Sequence, residues 1–404
     1  MFYFNVGNLN EGKIMAIRFR NRQMQKKYRD VLNNKELSVV VTLKSPGGEW
    51  NAMNNIANLL NVKLETLFDL DITSIKFLGR VFLKIYKNSN SKFVRNALTY
   101  IFPRFVKFPT NKIIIFSTSG NLVPKGSNII PYIHTPMRLF SDYYEEYKTL
   151  LKRRNILIFI AWPLVKIIYN QWYKNTLVHM KVRFVNSEAV RDRMMRYYSL
   201  PSIVLYPFIE FNTFRNVSYS RYFLSVSRFE RAKNFNFLIK AFETFQKQKE
   251  YSLVIAGLVI GPDQKGYYNE LKEYIEKRKL NVRLIANPNE NEIKKFYSNT
   301  FCFLFSAIRE DFGLVLLEAM SSEKPVISIN SGGSAEILNN GVNGFLVNNE
   351  YEMADKMNYL ASNEQEARMM GLNGRKTVME RFSAAKFREK LYNSIEIKGL
   401  NEKI

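Results

Sequence analysis

The chain is short of cysteine, histidine and acid, and it has no long apolar run. A single cysteine among 404 residues, Cys302, excludes an internal disulfide framework and suits a reducing compartment. Cys302 lies in an apolar stretch, so it is expected to be a small buried hydrophobe. No run of eighteen apolar residues occurs, so no bilayer-spanning helix is expected. The first residues lack a basic segment followed by an apolar stretch and a small-residue cleavage site, so no secretory signal is expected either. Acids are outnumbered: 36 Asp and Glu face 60 Lys and Arg, a formal charge of +24. Such a chain is drawn to polyanions, either nucleic acid or an anionic membrane surface. The expected location is the cytoplasm, peripheral on the cytoplasmic face of the membrane.

What is present is a globular composition, 46% apolar and 24% charged, in a chain long enough for two cores. Short apolar runs alternate with helix-length segments. Val39–Leu43, Ile113–Phe116 and Ile129–Ile133 read as strands in the first half; Tyr222–Ser227, Leu253–Ala256, Val282–Ile285, Phe303–Phe305 and Pro325–Ile329 do so in the second. This repetition predicts α/β domains with parallel sheets, whose ligands bind beyond the strand C-termini. The division is a basic extension over 1–35, a first domain over 36–205, a second over 206–380 and a final helix over 381–404. Pro201–Phe214 reads as the connection between domains, and Asn155–Tyr169, apolar with Trp162 and Pro163 inside it, as a core helix in preference to a monotopic segment.

Arg309–Gly333 carries the most chemistry. Glu310 and Glu318 bracket seven residues, Glu310 on a strand-to-helix turn and Glu318 about two turns into an apolar helix. A helix N-terminus offers unpaired N–H groups and partial positive charge to a phosphate. At about 1.5 Å rise per residue, Phe312 and Glu318 stand roughly 9 Å apart, the reach from a diphosphate to the far side of a ribose. The arrangement suits a nucleotide-linked ligand.

The carboxylate pair, followed by Ser331-Gly332-Gly333, Glu336 and Asn343-Gly344-Phe345-Leu346-Val347, resembles the retaining family 4 (group 1) glycosyltransferases of the GT-B fold. The resemblance runs over about residues 38–392 and is most specific over 222–347. It implies two Rossmann-like domains facing a cleft, acceptor on the first and nucleotide sugar on the second, UDP- or GDP-linked, with no metal and no further cofactor. Arg228 and Lys233, five apart across a tight turn, match the family's basic pair on the donor diphosphate. Fixed cations meet the charge released onto the leaving group where no metal does so. Asn234 replaces the family's usual glycine, and asparagine tolerates a left-handed turn. By the same resemblance Glu310 holds the sugar, Glu318 the ribose, and the Phe312, Gly313 and Leu314 amides the diphosphate. Gly47 and Gly48, after the first strand, face the donor; Gly257 ends a strand at the donor side. The string Tyr132-Ile133-His134-Thr135-Pro136-Met137-Arg138 resembles a loop of members acting on sugar–lipids, with His134 beside the transferred sugar and Arg138 on an acceptor phosphate. His179 reads as structural. Leu258-Val259-Ile260-Gly261 departs from the family's Gly-x-Gly in that loop.

Lys76–Lys107 contains eight bases, no acid and interleaved Phe77, Val81, Phe82, Ile85 and Tyr86. This describes an element in a membrane interface; the alternative is a pair of helices with one face on the core and solvated bases. Residues 1–35 are basic as well and lie on a membrane, on the protein's own surface or in solvent. Asp69-Leu70-Asp71 is a lone match to a metal–diphosphate motif of a different fold and reads as a turn or strand end. The expected partners are the donor, a lipid-linked or glycan acceptor and an anionic membrane, with no specific nucleic acid. Two other readings stand beside this one: a basic nucleic-acid-binding protein, for which no motif or basic–aromatic platform is evident, and a catalytically inactive GT-B scaffold, which the intact Arg228, Lys233, Glu310 and Glu318 disfavour.

Overall fold

The computed structural model describes residues 36–42, 47–67, 75–154 and 156–397. The extension over 1–35, the segment Leu43–Pro46 and the Asp69-x-Asp71 string lie outside them.

The first domain runs β1 (Glu36–Val41), α1 (Gly48–Leu60), β2 (Leu64–Thr66), α2 (Phe77–Asn88), α3 (Lys92–Ile101), β3 (Lys112–Ser119), β4 (Ile129–Thr135), α4 (Tyr144–Arg154), α5 (Ile156–Leu177), β5 (Phe184–Val185), α6 (Glu188–Tyr198) and β6 (Ile203–Val204). All pairings in its sheet are parallel, in the order β2-β1-β3-β4-β5-β6. Side chains alternate across it. Ile113 and Ile115 of β3 join α1, while Ile114 and Phe116 join the core under α5 and α6. β6 falls inside the segment that reads from sequence as interdomain connection. Two residues of strand between polar turns carry too little periodicity to be seen.

The second domain runs β7 (Tyr222–Val226), α7 (Phe235–Thr244), β8 (Ser252–Gly257), α8 (Pro262–Arg278), β9 (Val282–Ala286), α9 (Glu290–Asn299), β10 (Cys302–Phe305), α10 (Leu314–Ser321), β11 (Val326–Ile329), α11 (Ser334–Ile337), β12 (Phe345–Val347), α12 (Glu350–Ser362) and α13 (Glu364–Arg381). Its sheet is again parallel, ordered β12-β11-β10-β7-β8-β9. Cys302 is fully buried, and burial raises its thiol pKa. The last helix, α14 (Ala384–Ile397), returns to the first domain. Its Phe387, Leu391 and Ile395 pack with Val39, Val41 and Ile56.

In both sheets chain order reverses beside the first strand: between β1 and β3, and between β7 and β10. Such a reversal opens a crevice beyond the strand C-termini. Gly47–Gly48 follow β1 and His134 ends β4; Arg228 follows β7 and Glu310 follows β10. The two crevices face each other.

One expectation is overturned. The segment Asn155–Tyr169, expected to be a core helix, is not one over its described residues 156–169. Ile156, Ile160, Leu164, Ile167 and Ile168 of α5 face outward, Ile160 with 67% of its surface exposed. Among its described side chains, one side of α5 meets the core under the sheet, through Trp162, Tyr169 and Tyr173. Apolar residues on every side of a helix do not reveal which side has a partner.

Candidate active site

The β7–α7 turn bends back on itself. Asn234 ends it at φ 54°, taking the left-handed conformation that glycine would otherwise supply. This turn presents Lys233 to β10, where its Nζ lies 2.6 Å from Glu310 Oε2. Arg228, half exposed, pairs with Glu230 at 3.0 Å. Burial acts to raise the Glu310 pKa, but Lys233, with Arg138 and Arg228, outweighs it and holds the carboxyl below its usual value. Glu310 is therefore a carboxylate at neutral pH.

Two glycines hold this turn in shape. Gly332, at φ 61°, would set a Cβ 2.1 Å from the Glu310 carbonyl oxygen, and a Cβ on Gly333 would meet the Phe312 Cα at 2.3 Å. The Gly333 amide donates to that same Glu310 carbonyl at 2.9 Å. The glycine stretch thus serves close packing on the 310–312 turn. Gly313, at φ 97°, begins α10 with no side-chain cap, which leaves first-turn amides for a ligand. The Phe312 ring stacks on Tyr206 and packs edge-on to Phe382, so its side chain belongs to the core and only its backbone faces the site. Two turns on, Glu318 is half-buried; burial raises its pKa, and the Tyr297 hydroxyl beside it lowers it in part.

Across the cleft, Gly47 begins α1 at φ 149° in open space, and a Cβ on Gly48 would meet only Leu314 Cδ1, at 4.0 Å. Gly48 therefore looks onto the first residue of α10. His134 is buried with Nε2 unpartnered, its ring edge-on to Tyr132. Burial lowers its pKa, against Glu49 and Asp311, which raise it, so the imidazole is neutral at pH 7. Glu49 was not singled out from sequence. Its carboxylate accepts hydrogen bonds from Ser117 at 2.5 Å and Ser119 at 2.6 Å. The available signal was an acid directly after a glycine pair.

Arg138 does not stand free in the cleft. Its Nη2 lies 2.6 Å from Asp311 Oδ1 and donates to the Arg309 carbonyl at 2.5 Å. Arg193, also missed from sequence, reaches the same Asp311 oxygen at 2.6 Å and Asp142 at 2.6 Å. Glu336 accepts the Glu188 and Ala189 amides at 2.8 and 2.7 Å, capping α6 from the opposite domain. The cleft is thus tied at several points. Gly257 is explained without a ligand, since a Cβ there would stand 1.5 Å from the Ser227 carbonyl oxygen. Its bareness lets the β7 and β8 ends approach and so sets Arg228. The departing loop after β8 is held by Asn287, whose side chain accepts from the Val259 amide at 2.8 Å. His179 is exposed. Among the described residues no group of three metal-ligating side chains converges.

The site combines cations and a helix N-terminus on one wall with carboxylates and a neutral imidazole around it, a surface for a diphosphate joined to polyhydroxyl groups. Residues 209–377 match the family model described as glycosyl transferases group 1. The alpha-1,3/1,6-mannosyltransferase ALG2 of Dictyostelium discoideum is 23% identical over 339 residues, 74% of this chain and 78% of that protein. Its human counterpart is 30% identical over 186 residues, 43% of this chain and 44% of that one. Among solved structures, Anabaena HepE in complex with UDP and glucose superposes with a TM-score of 0.61 at 14% identity, covering 89% of this chain and 99% of its own.

Proposed function

We propose that this chain, a group 1 glycosyltransferase of the GT-B fold, moves a hexose-type sugar from a UDP- or GDP-linked donor to a hydroxyl of a lipid-linked or glycan acceptor at a membrane surface. Configuration is retained and no metal takes part. The observation that carries this reading is the Lys233–Glu310 pair set beside Arg228 and the uncapped start of α10.

In this reading Arg228, Lys233 and the amides at 312–314 meet the charge that builds on the leaving diphosphate. Arginine offers a planar fork and lysine a point charge. Glu318 accepts the ribose hydroxyls, as a carboxylate suits a vicinal diol. Glu310 holds hydroxyls of the sugar and stabilises its cationic character as the bond breaks. His134, neutral and with a free ring nitrogen, bonds a sugar hydroxyl. No double-displacement nucleophile is invoked; the leaving phosphate takes the proton of the attacking hydroxyl on the same face. The mannosyltransferase relatives make mannose the first sugar to try.

The membrane part rests on α2. Phe77, Leu78, Val81 and Ile85 are exposed there among exposed Lys76, Arg80, Lys84 and Lys87. Apolar groups fringed by bases fit an anionic interface.

The test is a thermal-shift screen of UDP, GDP, ADP and their sugars on the wild type, Glu318→Ala and Arg228→Ala. A ligand that binds only the folded state raises its melting temperature. A shift with one nucleotide, lost in both variants, is expected. No shift with any of them overturns the donor site. The anomeric configuration of a transfer product, read by NMR, decides retention.

A further inference from the structure

We infer that the α4–α5 hairpin is a membrane-inserting element, distinct from the basic helix α2, and that its outward apolar stripe lies in the hydrocarbon boundary of an anionic bilayer. The inference rests on the membrane-surface acceptor proposed above and adds the element that holds the enzyme there.

The stripe is Ile156, Ile160, Leu164, Ile167 and Ile168, spaced 4, 4, 3 and 1 along one helical face and all exposed. Over this span of about 18 Å the only charge on α5 is Lys166, which folds back over the Tyr144 ring at 3.8 Å. Further along, the same face turns polar at Gln171 and Asn175. The stripe therefore has a direction, apolar toward the hairpin turn and wet toward the sheet. The turn carries Lys152, Arg153 and Arg154 in sequence. The acids of the hairpin, Glu145 and Glu146, sit at its other end, where Glu146 pairs with Arg309 at the cleft. Among the described residues no helix is long and apolar enough to cross a membrane, so the stripe fits an element lying in the interface.

Two features choose a bilayer over a second copy of the chain. Lys152, Arg153 and Arg154 precede the stripe in sequence, and α2, with its exposed Lys84 and Lys87, contributes Leu83 to the same core as Tyr169 and Tyr173 of α5. Two such surfaces on chains of charge +24 would repel, whereas anionic headgroups attract both. The position is also useful. Phe140 packs on Trp162 and Tyr169 of α5, and the turn that bears it begins with Arg138, four residues after His134. Seating α5 in the interface brings that loop to the height at which a lipid-linked acceptor emerges.

The experiment uses the full chain and vesicles of phosphatidylcholine with phosphatidylglycerol, floated at low salt and again after salt is raised. Electrostatic attachment fades with salt and apolar insertion does not. The wild type is expected to keep a salt-resistant fraction. Ile160→Asp/Leu164→Asp/Ile167→Asp is expected to lower that fraction about tenfold, and the milder Ile160→Ala/Leu164→Ala/Ile167→Ala to lower it less, both with unchanged nucleotide-induced thermal shifts. Lys84→Glu/Lys87→Glu is expected to lose low-salt capture instead. Equal salt-resistant retention of the aspartate variant overturns the inference. So does a wild-type dimer, seen by sedimentation, that the aspartate variant dissolves. Transfer activity with no vesicle retention would remove the docking element and leave the proposed reaction; retention through α5 with no nucleotide binding would do the reverse.

Discussion

Arg193 in the first domain places Nη1 2.6 Å from Asp311 Oδ1 in the second, and Asp311 is the neighbour of Glu310. Arg138 meets the same oxygen. Domain closure and the shape of the Glu310 turn are therefore linked through one carboxylate. A double-mutant cycle of Arg193→Gln and Asp311→Asn should show coupling of about 1–3 kcal/mol in unfolding free energy. Each single variant should enlarge the radius of gyration in X-ray scattering, because the cleft loses a tie. Additive effects with unchanged dimensions would show that the pair does not hold the domains together.

Among the cations that hold the Glu310 carboxyl below its usual value, Lys233 has the largest effect. In Lys233→Met the opposing influence of burial is left to act, and the Glu310 pKa should rise. A depressed carboxyl adds stability above its unfolded pKa and loses it as pH falls through the folded value. The melting-temperature gap between wild type and Lys233→Met should therefore be widest at neutral pH and close in acid. Turnover should fall about 10²–10³-fold, the usual effect of removing one group that meets transition-state charge. A gap that does not depend on pH would refute the coupling.

Glu318 behaves in the opposite sense. Its folded pKa is raised by burial, so its ionisation opposes folding as pH climbs through that value. Glu318→Gln should melt higher than the ligand-free wild type at neutral pH, and the gain should vanish at acid pH, where both side chains are neutral. The same variant should lose the nucleotide-induced shift. Stability gained and binding lost together would mark Glu318 as kept for its ligand; a variant that melts lower at neutral pH contradicts this.

Glycines divide by what surrounds them. Gly257→Ala drives a methyl to 1.5 Å from a carbonyl oxygen, and Gly332→Ala to 2.1 Å at a left-handed φ. Each should cost more than about 3 kcal/mol in denaturant unfolding. Gly266, inside α8 with nothing near its missing side chain, should gain about 0.5–1 kcal/mol as alanine. A tolerated Gly332→Ala would mean that the Glu310 turn is not packed as described.

Much of the architecture was legible because its causes are local. Apolar runs of strand length between turn residues marked most of the strands, and the spacing of Glu310 from Glu318 and of Arg228 from Lys233 placed those groups on turns and a helix start. Short strands escaped, as β6 did, because two residues show no period. Gly257 was visible, but its reason was not; a bare glycine looks alike beside a ligand and beside another backbone.

The sequence by itself determined the repeating strand–helix order, the basic balance and the residues on the β7 and β10 turns, since these follow from neighbours a few positions apart. Tertiary structure alone decided which groups meet. Lys233 and Glu310 are 77 residues apart, Arg193 and Asp311 118, and Glu49 and Ser117 68. It alone decided, too, that α5 shows Ile156, Ile160, Ile167 and Ile168 to the outside. Hydrophobicity records that a side chain avoids water, and only packing assigns which surface covers it.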